Sequence, residues 1–478
     1  MAVGSTWRRR TLAVGALAAL MLVSVPGTGN AVTANPQGDT ITDPASTGKP
    51  LEIQSAVRST DPTTLTITVT TYAAFTDDSA EFVVPIDTNL DGSADYVIDV
   101  SPFVGQTPTS PGTGVLAAGL RGNTPRLVKV DVTRPTTTSM AVSFPRSMIG
   151  GSTGFDWGVI AISAPPGGGT ITTDQAPDSF TVHPSTDVPR VAGADRIETA
   201  VQACFFYDGA AGAVVLARSD DYPDALAGAP LASAKHAPLL LTDPAALDPR
   251  VLAEIKRVLP TGGTVYLLGG LTALSQAVQD AITSAGFQAV RYNGTDRYDT
   301  ALQIATKGLN DPSIIFLTTG TNFADALSAG AAAGFKTGAL LLTNGTTMPP
   351  SVTAYLQAHP SDSLYAVGGP AATASPSAIG ITGSDRYDTA KKVATTFFNQ
   401  PLVIGIASGV NFPDALAGGA TIAEGGGPLL LTKPDALPTP TQDYLTGEAP
   451  NGPLPIIFGG TAAVSDTVAG QIKAAFGL

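Results

Sequence analysis

Cysteine is nearly absent from this chain. One residue, Cys204, in 478 excludes an internal disulfide framework. It lies in the apolar stretch Ala-Val-Gln-Ala-Cys-Phe-Phe-Tyr and reads as a small buried hydrophobe. Histidine is as scarce: His183, His236 and His359 share no metal-ligand spacing, which leaves nothing for a zinc site. Positive charge is in deficit, 26 Lys and Arg against 39 Asp and Glu, for a net charge of -13. That balance argues against general nucleic-acid binding and against docking on an anionic membrane through bulk charge. Beyond Ala34 no apolar run is long enough to cross a bilayer. No Ser/His/Asp or Cys/His arrangement stands at a usable spacing. No catalytic residue is assigned, and a protein that is not an enzyme is expected.

Residues 1–34 have the three parts of a secretory signal peptide. Trp7-Arg8-Arg9-Arg10 is a positive start, Leu12 to Val25 a short apolar core, and small residues before Ala31 and Ala34 suit cleavage. The arginine run also suits a twin-arginine export route; ordinary secretion is the simpler reading. Removing the leader takes away three arginines and no acid, which deepens the negative charge. No wall-sorting tail is read at Leu478, so attachment to a surface is expected to be non-covalent.

Residues 35–50, rich in Pro, Gly, Thr and Asp, read as a linker. Residues 51–186 read as all-β. Thr64-Leu65-Thr66-Ile67-Thr68-Val69-Thr70 alternates with period two, as a half-buried strand does. Similar runs stand at Glu81–Val84, Asp95–Val100, Leu127–Val132, Met140–Phe144 and Trp157–Ile162. A β-sandwich is the expected assembly. Within it, Asp87, Asn89, Asp91, Ser93 and Asp95 put oxygen side chains at alternate places around Gly92. Calcium turns use that spacing. The bidentate Glu of a helical calcium loop is missing, since Ile98 stands there. The competing reading is a plain Asp-Gly hairpin turn. Calcium is the one cofactor expected.

What the remaining chain has in abundance is repetition. Four phrases recur three times in one order. Gly-x-Asp-Arg-x-Asp/Glu-Thr-Ala runs over Gly193–Ala200, Gly294–Ala301 and Gly383–Ala390. Asp-Ala-Leu begins at Asp224, Asp325 and Asp414. An apolar run ends at Thr242, Thr343 and Thr432. A strand is closed by Gly269-Gly270, Gly368-Gly369 and Gly459-Gly460. The interval from Arg196 to Asp224 is matched residue for residue from Arg297 to Asp325 and from Arg386 to Asp414. The interval from each of these Asp residues to its Thr is likewise the same in every copy. Two spacings held through three copies define one module used three times. An active site needs one copy, so threefold use points to multivalent binding or pseudo-symmetric assembly.

Each module reads as alternating strand and helix. Asp195, Asp296 and Asp385 stand where helix N-caps are expected, followed at the N3 position by Glu198, Asp299 and Asp388. Pro223 and Pro413 suit a first helical position. Helices are expected from Pro249 and Pro350, and a final helix capped by Ser275, Ser375 or Ser465. In the second copy that helix has almost no room: the interval from Ser375 to Gly383 is less than half that from Ser275 to Gly294. Continuous apolar strands between helices mean a parallel sheet. Three modules are bounded at 187–288, 289–377 and 378–478.

These phrases resemble the type 2 cell-wall-binding repeat of Gram-positive surface proteins, over residues 187–478. The resemblance implies three Rossmann- or Toprim-like modules around a pseudo-threefold axis. It implies non-covalent anchoring to anionic, teichoic-acid-like secondary wall polymers, while the rest of the chain does the protein-specific work. The shortened second module departs from the pattern and puts equal use of three sites in question.

An acidic protein must hold a polyanion through local groups. Arg196, Arg297 and Arg386 each stand in the first turn of a helix, where a cation is electrostatically disfavoured. One reading aims them at a polymer phosphate or carboxylate. The other pairs them internally with Asp224, Asp325 and Asp414. Ser219, Thr319 and Ser408 lie at strand C-terminal ends, where α/β folds bind ligands. Three functions compete: a surface anchor displaying the β-domain on anionic polysaccharide or peptidoglycan; an adhesive or structural protein whose calcium-stabilised β-domain binds glycan or a partner; and an accessory or modifier subunit of a wall hydrolase.

Overall fold

The structure is a computed structural model. It describes residues 40–42, 51–59, 61, 63–75, 80–87, 96–100, 112–118, 126–149, 156–163, 172–176 and 188–476, the last without 205–206, 208–210, 402 and 452. The chain divides into two compact units, 1–187 and 188–478.

In the first unit, strands β1 (Thr40–Thr42), β2 (Ile53–Arg58), β3 (Thr64–Thr71), β4 (Ala80–Asp87), β5 (Tyr96–Val100), β6 (Gly112–Ala118), β7 (Arg126–Thr136), β8 (Ser139–Pro145), β9 (Asp156–Trp157), β10 (Val159–Ser163) and β11 (Thr172–Ala176) are described. All pair antiparallel, in the order β1-β2-β3-β8-β7-β6-β5-β4-β10-β11, with β9 also on β4. The hydrogen bonding therefore runs through one continuous sheet instead of the two expected of a sandwich. Strand β2, next to one end of this order, is tied to β11 at the other: the Ile53 N–H donates to Asp174 Oδ2 at 2.8 Å. One face of the sheet holds Leu65, Ile67, Val69, Phe82, Ile86, Val142, Phe144 and Trp157 in a single core. Period-two alternation along β3 puts Leu65, Ile67 and Val69 inside and the intervening threonines outside. Asp87 ends β4, and the rest of the Asp-rich turn, residues 88–95, lies outside the described residues.

The second unit holds strands β12 (Arg190–Val191), β13 (Val214–Arg218), β14 (Leu239–Thr242), β15 (Thr264–Leu268), β16 (Gln288–Tyr292), β17 (Ile314–Thr319), β18 (Ala339–Thr343), β19 (Ser363–Val367), β20 (Ile379–Ile381), β21 (Val403–Ser408), β22 (Leu429–Thr432) and β23 (Leu454–Phe458). They form three four-stranded parallel sheets: β14-β13-β15-β16, β18-β17-β19-β20 and β22-β21-β23-β12. The order reveals what the repeat boundaries hide. Strand β16, which opens the second repeat in sequence, completes the sheet of the first. Strand β20 does the same for the second. Strand β12, which opens the first repeat, crosses to the third module and pairs with β23. Each sheet thus borrows its edge strand from the phrase that begins a neighbour, and the third borrows it from the start of the unit.

The helices are α1 (Arg196–Gln202), α2 (Gly228–Lys235), α3 (Pro249–Val258), α4 (Gln276–Ser284), α5 (Arg297–Gln303), α6 (Ala324–Phe335), α7 (Pro350–Ala358), α8 (Gly369–Ala374), α9 (Arg386–Phe397), α10 (Pro413–Glu424), α11 (Thr439–Glu448) and α12 (Asp466–Ala475). Helix α2 follows its Asp-Ala-Leu phrase, whereas α6 and α10 contain theirs in the first turn, and the three pack on one another. They are buried nearly all round, and small residues let their backbones approach. Gly334 lies between Ser233 and Ala423, and the Ser233 hydroxyl donates to its carbonyl at 3.2 Å. At the junction of first and third modules, His236 Nδ1 lies 3.0 Å from Glu424 Oε1.

Two local expectations are corrected. Pro223 lies in a turn, and the first central helix begins only at Gly228. Ser375 is the C-cap of α8 instead of starting a helix: α8 begins at Gly369, the second glycine of the pair, with Pro370 in its first turn, so the short second copy spends its few residues before Ser375.

Candidate functional site

Asp195, Asp296 and Asp385 cap α1, α5 and α9, accepting from the backbone N–H of Glu198, Asp299 and Asp388. The caps present the next residue, Arg196, Arg297 or Arg386, toward the end of the strand that follows its own helix, β13, β17 or β21. Arg196 Nη1 donates to the Ser219 carbonyl at 2.8 Å and Arg297 Nη1 to the Gly320 carbonyl at 2.7 Å. Arg386 Nη1 donates likewise to the Gly409 carbonyl. Each repeated arginine therefore pins the loop after its strand. The set Ser219, Thr319 and Ser408 is not one equivalent position. Ser219 stands five places before its Asp, whereas Thr319 and Ser408 stand six before theirs; the counterparts of Ser219 are Gly320 and Gly409. All three hydroxyl residues are buried.

The aspartates pair across repeats, which the internal-pair reading did not anticipate. Asp224 faces Thr300 and Arg297, both of the second module. Asp325 faces Arg386 and Thr389 of the third. Asp414 closes the circle on Thr199 and Arg196 of the first. The same threonine hydroxyls accept from the glycines that open the phrase, Gly193, Gly294 and Gly383, at 3.1 Å in every copy. Burial raises the affinity of all three carboxyls for a proton, against these partners; Asp325 is pushed up to about 6.

The Gly-Gly turns complete each junction. Gly269, Gly368 and Gly459 have φ of +93°, +88° and +113°, and a Cβ on any of them would run into the carboxylate of Asp224, Asp325 or Asp414. The second glycines are free of that constraint: a Cβ at Gly270 or Gly460 meets nothing within 4 Å. Gly368→Ala is therefore expected to cost about 2–4 kcal/mol, from left-handed backbone plus overpacking. Gly460→Ala should change little. Thermal unfolding of the two variants checks the contrast, and equal effects would remove the Asp contact as its cause.

Three aromatic residues meet where the central helices begin. Tyr222, Phe323 and Phe412 each stand two places before the Asp of their module. Their ring centroids are 5.4, 5.5 and 6.0 Å apart. The Arg196 guanidinium lies 5.7 Å from the Phe412 ring and that of Arg386 5.9 Å from the Phe323 ring. Nothing in the sequence reading singled these rings out; their fixed offset from each Asp was the available signal. Among the described residues no three or more His, Cys, Asp or Glu side chains are grouped to hold a metal, and no helix is long and apolar enough to cross a membrane.

The family model for Cell wall binding domain 2 (CWB2) matches residues 190–279, 291–377 and 381–469. The chain belongs to this cell-wall-binding family. It is 30% identical over 292 residues to the N-acetylmuramoyl-L-alanine amidase LytC of Bacillus subtilis, covering 60% of this chain and 58% of LytC. It is 27% identical over 267 residues to the amidase enhancer of the same organism, covering 54% of this chain and 37% of that protein. The chain thus spans less than two thirds of either curated relative. Among solved structures, Cwp8 from Clostridium difficile aligns with a TM-score of 0.56 at 17% identity, over 87% of this chain and 88% of that one. Cwp6 from the same organism aligns with 0.54 at 18%, over 86% and 66%. These two share the fold. The CWB2 matches start within the edge strands β12, β16 and β20, each of which belongs to the sheet of the preceding module in the circle, so the family repeat and the structural sheet are offset from one another.

Proposed function

We propose that this protein is a secreted, non-catalytic anchor. Its CWB2 triplet grips an anionic secondary polymer of a Gram-positive wall, and the β-unit is the part displayed. The observation that carries this reading is the threefold CWB2 match. The repeated arginines, the only cations kept through all three copies of the first phrase, support an anionic ligand. Two points refine the reading. Arg196, Arg297 and Arg386 already hold backbone carbonyls, so they serve the fold and have only part of their donor capacity left for a ligand. Asp224, Asp325 and Asp414 belong to the junctions and would repel a polyanion when ionised. The likeness to LytC supports a shared binding region; its amidase activity is a property of that protein.

The test is a pull-down of the purified chain on Gram-positive cell walls, before and after acid extraction of the secondary polymers. Binding should fall at least about tenfold on extraction, a difference of about 1.4 kcal/mol. Equal binding to extracted walls would make peptidoglycan the ligand. No binding to either would remove the anchor reading.

A further inference from the structure

The three modules have been read as three places for a ligand, one per repeat. The geometry gathers their distinctive side chains at one place. Tyr222, Phe323 and Phe412 come from different modules yet lie within 6.0 Å of one another, centroid to centroid. Arg196 and Arg386 reach the same cluster from the first and third modules. Each arginine sits on the ring of the module preceding its own in the circle. Around the rings, the loops that carry them show polar and apolar groups to solvent: Asp220, Thr321 and Asn411 are exposed, and Val410 is 57% exposed. Tyr222 and Phe323 are only half-buried, while Phe412 is buried beneath them.

Aromatic faces, amide and hydroxyl groups, and guanidinium cations are what an acidic saccharide requires. A sugar ring presents C–H groups to an aromatic face, its hydroxyls need amide or hydroxyl partners, and its phosphate or carboxylate suits arginine. We propose that the triplet has one axial polymer site, in which a sugar residue lies on the Tyr222–Phe323–Phe412 cluster and an adjoining acidic group is met by Arg196 or Arg386. This rests on the anchor reading above and changes its stoichiometry: three repeats build one site. It also gives the short second module a share, because its contributions, Phe323 and the 320–323 loop, lie far in sequence from its shortened 375–383 segment.

The experiment is calorimetric titration of the full chain with anionic polymer released from Gram-positive walls by acid extraction. One polymer site per chain is expected. Val410→Asp, an exposed change at the rim that leaves the core intact, is expected to weaken binding at least tenfold through repulsion. Tyr222→Leu is expected to do the same by removing the aromatic face, while Tyr222→Phe retains wild-type affinity. Melting temperatures of the variants are measured alongside; should Tyr222→Leu unfold, Val410→Asp decides the matter. Three equivalent sites per chain, or undiminished binding by folded Val410→Asp, overturns the axial site and leaves the anchor standing. Failure of the wild-type chain to bind either walls or polymer overturns both.

Discussion

Val191→Asp is expected to open the ring of modules at one junction and leave the other two closed. Val191 is fully buried on β12, the edge strand that the third module takes from the start of the first repeat. The ladder there is short. Ile457 N–H donates to Pro189 O and Gly459 N–H to Val191 O, each at 2.8 Å. Arg190 adds donations to the Gly459 and Val464 carbonyls, both at 2.8 Å. A carboxylate in place of Val191 is expected to cost about 3–5 kcal/mol, because the strand must leave or carry an unpaired charge inside. Arg190→Gly should cost less, about 1–3 kcal/mol for the carbonyls left unsatisfied; the second module already manages with Gly380 at that place. Amide hydrogen exchange reads the result by position. In Val191→Asp, protection of Ile457 and Gly459 should collapse. Gly269, bonded to Tyr292 O, and Gly368, bonded to Ile381 O, should keep theirs. Uniform loss at all three glycines would show instead that the ring unfolds as one unit.

The second large effect is on pH. Asp325 has its proton affinity raised by burial to about 6, with Arg386 and Thr389 opposing. Its native carboxyl therefore holds a proton over a range in which the unfolded one has lost it. Stability from this group is fully present below about pH 4, falls as pH rises to about 6, and stays low above; the difference is about 3 kcal/mol at about 1.36 kcal/mol per unit. Asp224 and Asp414 shift in the same direction. Other carboxyls act oppositely and lower on the scale. Asp248, held by the Arg250 side chain, and Asp388, held by the Ser384 N–H, have depressed values. Their stabilisation is present above the ordinary carboxylate range and disappears as pH falls through those values. Denaturant unfolding at pH 4.5, 6 and 7.5 separates the two classes. Asp325→Asn, which keeps an acceptor for Thr389, should flatten the fall between pH 4.5 and 6 and match or exceed wild-type stability at pH 7.5. An unchanged slope would assign the fall to other groups.

Much of this architecture was legible from spacing and pattern. Three modules, their parallel strands, the Asp195, Asp296 and Asp385 caps and the antiparallel strands of the first unit all follow from interactions between residues close in sequence. A cap needs a side chain within one helical turn of its N–H, and a strand's alternation is visible within the strand itself. The phrases even contained every member of the junctions: Arg, Thr and Gly of the first, Asp of the second, Gly of the fourth.

What local pattern could not decide was which copy of each phrase meets which. Equal spacing in three copies makes Arg196 as compatible with Asp224 as with Asp414, since periodicity carries no information about neighbours across a repeat. Only close packing of the three small-residue helices brings each Asp against the next module's Arg and Thr. Long-range packing likewise sends β12 across to β23, ties β2 to β11 through Ile53 and Asp174, and gathers three rings, one from each repeat, onto one cluster. Those contacts are chosen by burial and shape in the folded chain, and no window of sequence contains them.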